Sequence, residues 1–136
     1  MRKLAAVTLV LTVILAPRFA GAATFDGSVP LICAITDVME CDIGSDCFRR
    51  TVAEVNLPRF LKIDGKAGTI GVWGAGAEMR RAPIHKMDAT STALVLYGGQ
   101  DGRGWSAVIG TETGQLSAGV VDDRGGFVIS GACTPQ

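Results

Sequence analysis

The chain has 136 residues with 13 Lys+Arg against 13 Asp+Glu, 18 glycines and 6% aromatic residues. Three of the basic residues, Arg2, Lys3 and Arg18, precede residue 24, so the remainder carries 10 basic against 13 acidic side chains and is mildly acidic. That balance argues against a nucleic-acid binder, which shows a basic excess or stripe. The length fits one domain rather than two, and the glycine excess implies many tight turns and little long helix.

The first segment reads as an export signal. Arg2 and Lys3 make a short positive start, Leu4 to Ala16 is an uninterrupted apolar run broken by Pro17, and the small residues Ala20-Gly21-Ala22-Ala23 follow. This order predicts a secretory signal peptide over 1–23, cleaved at Ala22 or Ala23, ahead of a single domain over 24–136. The apolar run falls short of the ~20 residues a membrane span requires, and Arg18 sits where a span would continue. No membrane span is therefore expected in the mature protein. Lipoprotein processing is not expected either, because the first cysteine is Cys33.

All four cysteines, Cys33, Cys41, Cys47 and Cys133, follow the leader, an even number in a small exported domain and hence two expected disulfides. Their spacing lacks the C-x-x-C of zinc, haem or thioredoxin-type sites, and the single histidine is distant, so neither metal nor cofactor is expected. If Leu31 to Cys41 is one extended strand, Cys33 and Cys41 are roughly 26 Å apart, far beyond disulfide reach. The turn-rich Asp42-Ile43-Gly44-Ser45-Asp46 instead folds Cys47 back on Cys41. The expected pairs are Cys41–Cys47 across that tip and Cys33–Cys133 between the two ends of the domain.

The alternation Leu31, Cys33, Ile35, with Met39 beyond Asp37, predicts a first strand, and Phe127, Ile129, Gly131 and Cys133 form its C-terminal counterpart. Both cysteines lie on the apolar face. Between them the pattern predicts strands at Phe48–Val55, Arg59–Asp64, Thr69–Trp73, Ile84–Asp88, Ala93–Gly98, Gly104–Gly110 and Gln115–Val121. The separators are turn chemistry: 64–68, 98–102, 113–114 and 122–126. Asp46 to Asn56 also fits a helix capped by Asp46 and ended by Pro58, but its β-branched residues favour a strand. The whole reads as an all-β antiparallel meander of about eight strands, closed or partly closed into a disulfide-stapled barrel that removes exposed edges.

The segments FDGSVPLICA from Phe25, NLPRFLKID from Asn56, GRGWSAVI from Gly102 and GFVISGACTP from Gly126 together resemble a group of small exported bacterial proteins. The resemblance spans most of the chain after the leader. Its motifs are turns, strand cores and cysteines, so it implies architecture and carries no activity. The arrangement is also similar to periplasmic lysozyme-inhibitor barrels, in which a cysteine of the first strand bridges to one near the C-terminus. The loop motifs through which those inhibitors act have no counterpart here.

Candidate chemistry is sparse. His85 is the only histidine, and a general base is its sharpest reading. No G-x-S-x-G elbow or catalytic-cysteine signature accompanies it, and a solvated strand residue beside Lys86 accounts for it as well. Asp42, Asp46 and the carbonyls of Ile43 and Gly44 would suit calcium, yet the spacing matches no EF-hand loop and the residues are ordinary turn formers. Gly71-Val72-Trp73-Gly74-Ala75-Gly76 sets an aromatic among glycines, followed by Arg80 and Arg81. Aromatic and arginine residues on a loop are typical of recognition surfaces, so Trp73, Arg80 and Arg81 are the candidate binding residues. Trp105 alternates with Ala107 and Ile109 and reads as core.

No residue is assigned a catalytic role. The sequence favours a non-enzymatic binding or inhibitor-like module of the bacterial envelope, periplasmic or extracellular, with an envelope protein or a small apolar ligand as partner. The alternatives are a structural subunit of an envelope complex and a hydrolase-like enzyme using His85. An apolar cavity or an exposed Trp73 patch would mark the first, a flat apolar face the second, and His85 beside a carboxylate in a cleft the third.

Overall fold

In the computed structural model, which describes residues 24–74 and 80–136, the alternation starting at Leu31 builds β1 (Leu31–Asp42) and buries Leu31, Cys33, Ile35 and Val38. The chain then forms β2 (Cys47–Arg50), β3 (Phe60–Asp64), β4 (Thr69–Val72), β5 (Arg81–Ala89), β6 (Ala93–Gln100), β7 (Arg103–Gly110), β8 (Gln115–Val121) and β9 (Gly125–Pro135). All pairings are antiparallel. The order β1-β3-β4-β5-β6-β7-β8-β9 closes through β1–β9 into a barrel of eight strands, and β2 attaches outside the cycle to β1. Among the described residues there is no helix, and hence none long and apolar enough to cross a membrane. The expected leader, residues 1–23, lies outside the described residues.

Two disulfides join Cys33 to Cys133 and Cys41 to Cys47. Each joins residues directly opposite one another on paired strands. The first clasps the β1–β9 seam across a sequence separation of 100 residues, the second only 6. The β1–β9 ladder slips once at Thr36, whose hydroxyl donates to the Ser130 carbonyl at 3.2 Å. The bulge keeps Val38 facing the interior with Ile35 although three positions separate them.

One expected element is shorter than its pattern. The strand read over Phe48–Val55 ends at Arg50, and 52–56 form turns rather than helix or strand. Thr51 and Glu54 satisfy each other there: the Thr51 backbone N–H and hydroxyl both donate to the Glu54 carboxylate, at 2.7 and 2.8 Å. Asn56 follows with a positive φ of 51°. Tertiary burial explains the choice, because Val52, Val55 and Leu57 pack on the barrel core instead of extending the hairpin. Gly98 and Gly99, expected in a turn, lie within β6, and the reversal is made by Asp101 and Gly102, both with positive φ, as in a type I′ hairpin.

The fully buried side chains are Leu31, Cys33, Val38, Ile63, Leu94, Leu96 and Ile109. They concentrate toward the barrel end that carries the β3–β4, β5–β6 and β7–β8 turns. The segment 24–30 closes that end. Phe25 is buried, and its ring lies so close to Gly114 that a β-carbon there would collide with it. The other end carries the β6–β7 and β8–β9 turns, the β1–β2 tip and the 51–59 connector.

Candidate functional site

The register explains why the two ends differ. Across β6, β7, β8 and β9 the inward residues form three rows: Leu94–Ile109–Leu116–Gly131, then Leu96–Ala107–Ala118–Ile129, then Gly98–Trp105–Val120–Phe127. The first row is bulky. The second places two alanines directly opposite each other, and Ala82 of β5 adds a third small inward residue opposite Ile70. Alternation keeps all of these facing inward, but alanine cannot reach the barrel axis. A cavity of about 380 Å³ results, at the end opposite Phe25.

Its inner wall is apolar, with Ile35, Leu61, Ile70, Ala107, Leu116 and Ala118 among the lining residues. Trp105 stands over Gly98, where a β-carbon would collide with its six-membered ring, so this glycine makes room for the indole. The Trp105 indole N–H is buried and has no acceptor among the described residues. An unsatisfied buried donor of this kind costs on the order of 1–3 kcal/mol, and such orphans are uncommon in native folds.

The outer part of the lining is charged. Among the described residues, Arg80 and Arg103 bring guanidinium groups to it, against one carboxylate from Asp101; Arg81, next to the inward Ala82, turns its side chain to the outer face beside Gly71. Arg80 donates from Nη2 to the Asn56 carbonyl at 2.7 Å, tying the start of β5 to the connector whose Leu57 and Pro58 also line the cavity. Arg103 donates from Nε to Asp122 at 3.4 Å. The Arg124 backbone N–H and, secondarily, Arg103 hold the Asp122 carboxyl below the usual carboxylate range. The remaining arginines after residue 23 (Arg49 and Arg50 in β2, Arg59 before β3, Arg124 in the β8–β9 turn) belong to segments at this same end. Arg49 pairs with Asp37 and Arg50 with Glu40, both at the surface.

The three candidate binding residues divide between two places. Arg80 lines the cavity and Arg81 borders its mouth from the outer face, whereas Trp73 faces out, 48% exposed, and meets the edge of Phe60 at a centroid distance of 6.1 Å. Trp73 and Arg81 also share a shallow exterior groove with Lys62, Asp64 and Thr69. Ala75 and Gly76 of the same motif lie outside the described residues. Phe48 and Phe60 are also exposed, with the Arg50 guanidinium 5.9 Å from the Phe48 ring centroid.

The other candidates sit apart from the cavity. His85 is the extra residue of a bulge in β5, exposed and without a hydrogen bond or ion pair among the described residues. Asp42 and Asp46 are exposed at the β1–β2 tip, and no group of three potential metal-ligating His, Cys, Asp or Glu side chains occurs among the described residues.

Sequence reasoning read Trp105 and Ala107 as core rather than as lining residues and singled out neither Arg103 nor Ala118. The available signal was alanine at the same inward phase in two consecutive strands, but its meaning depends on the register that places those alanines opposite each other. Searches against protein families, curated proteins and solved structures find no match to this chain.

Proposed function

We propose that the protein is a non-enzymatic binding protein that takes a small apolar ligand into the open end of its barrel. The observation that carries this reading is the 380 Å³ cavity with an apolar inner wall, a buried indole donor and a polar rim. Ligand sites of this kind are concave, mostly apolar and furnished with a few polar groups; about 300–1,000 Å³ is their usual range, so the occupant is small. The proposed place of action is the periplasm or the cell exterior. The leader pattern supports it, as do two disulfides of the sort found in oxidising compartments.

Equilibrium dialysis with decanol tests the binding reading. Binding by the native protein, abolished when Ala118→Leu fills the cavity, is the expected result. Undiminished binding by the Ala118→Leu protein would place the ligand elsewhere and overturn it.

A second reading has its own support in the exposed Phe60–Trp73 pair: contact with an envelope protein, with Trp73 and Arg81 as the anchors. Under that reading Trp73→Ala abolishes capture of the partner while decanol binding is unaffected.

A further inference from the structure

We infer that the ligand of this cavity is a single-chain amphiphile with an anionic acid head, its chain against the Ala107–Ala118 wall and its head at the arginine rim. This rests on the binding reading above and adds to it the charge and shape of the ligand.

The first support is the gradient along the cavity. Ala107, Leu116, Ala118 and Ile129 make the inner wall apolar, whereas the charged lining residues are confined to the start of β5 and the β6–β7 hairpin. An occupant that matches both parts is apolar at one end and polar at the other. The small volume leaves room for one chain rather than several.

The sign of the rim gives the second support. Its charged members among the described residues are Arg80 and Arg103 against Asp101, since the Arg81 side chain lies on the outer face. None of the three lysines after residue 23, Lys62, Lys66 and Lys86, lines the cavity. A planar guanidinium presents a fork that matches two oxygens of a carboxylate or phosphate, which a lysine ammonium does not. A cationic head would meet like charges here, and a hydroxyl head would leave the fork geometry unused.

The existing bonds give the third. Arg80 is held through Nη2 by a neutral carbonyl, and Arg103 through Nε by Asp122 at the long limit of a hydrogen bond. Each guanidinium carries five donors, so both are positioned by the protein yet keep donors for a second acceptor.

Isothermal titration at low ionic strength with decanoate, decyl phosphate, decanol and decyltrimethylammonium tests this. At least one acid is expected to bind about tenfold or more tighter than decanol, as a charge-assisted hydrogen bond predicts, and the cation more weakly than decanol. An advantage for decanoate alone or for decyl phosphate alone supports the inference and fixes the acid. Replacing both rim residues, Arg80→Gln with Arg103→Gln, should erase the advantage, so that the acid binds no tighter than decanol to the same variant. Lys66→Gln, in the β3–β4 turn at the far end, should change nothing. If the double variant does not fold, Arg80→Gln alone, which gives up a surface bond to a carbonyl, carries the same comparison. Decanol binding as tightly as both acids, or an advantage that survives loss of the rim arginines, overturns the inference and leaves the binding reading standing. Failure of every probe to bind removes both.

Discussion

The two ends of this barrel are made by the same strands and the same alternation, yet one is filled and the other is hollow. Toward the Phe25 end the inward positions hold Leu31, Ile63, Leu94, Ile109 and Leu116, none more than 4% exposed. Two residues further along β7 and β8 stand Ala107 and Ala118, with Ala82 on β5 and, a row beyond them, Gly98 on β6. Side-chain volume at one phase of the pattern makes the difference, not a loop or an insertion. The lesson is that a β-barrel acquires a cavity through a few small inward residues on neighbouring strands at an unchanged register, so the packed core and the cavity belong to opposite ends of one sheet.

The largest expected effect strikes the filled end. Replacing Cys33 and Cys133 together by serine opens a loop of about 100 residues and should cost about 4–5 kcal/mol in the chain-entropy account; the same change at Cys41 and Cys47 opens a very short loop and should cost about 2. Urea denaturation of the two variants measures the ratio, and equal losses would break the assignment of the β1–β9 seam as the main clasp. Next in size is the contrast between cores. Leu94→Ala, at a fully buried position, should lose about 3 kcal/mol, within the usual range for a large-to-small core change. Val120→Ala, on the cavity wall and partly open, should lose under about 1 kcal/mol because less contact is given up there.

A third change sharpens the comparison by reversing its sign. A leucine at a packed core alanine normally costs about 1–3 kcal/mol through overpacking. At Ala118 the added atoms enter the cavity, so Ala118→Leu should be neutral or stabilising by up to about 1 kcal/mol. Thermal denaturation checks it, and a loss of the overpacking size would mean the wall is already filled. The smallest effect concerns acid. Asp122 is held in its charged form by the Arg124 backbone N–H and Arg103, so its folded-state value lies below its unfolded one. The stabilisation it gives is present above the unfolded value and disappears as pH falls through the folded one. Asp122→Asn should therefore slightly flatten the acid limb of a plot of melting temperature against pH and leave the neutral region's shape unchanged.

Most of the architecture was legible because it depends on local signals. The turn chemistry and the alternation located the strands, and the extended reach of Leu31 to Cys41 separated Cys33 from Cys41 and so indicated both disulfides. Connector 51–59 was misread because burial of Val52, Val55 and Leu57 on the barrel overrides the β-propensity of its sequence. The cavity was not legible for a different reason. Ala107, Ala118 and Trp105 each look like ordinary core taken singly, and they become a wall only when pairing sets Ala107 opposite Ala118 and Trp105 opposite Gly98. Of the candidate binding residues, Arg80 reaches the cavity, but Arg81 neighbours the inward Ala82 and Trp73 the inward Val72, so both face away.

That opposition between the two tryptophans gives the most direct test, since the chain contains only Trp73 and Trp105. Their indole N–H resonances can be followed by NMR during titration with decanol, assigned with Trp73→Phe. A saturable shift of the Trp105 signal with the Trp73 signal unmoved is the predicted result. A shift confined to Trp73, or none in either, would contradict the placement of the ligand inside the open end of the barrel.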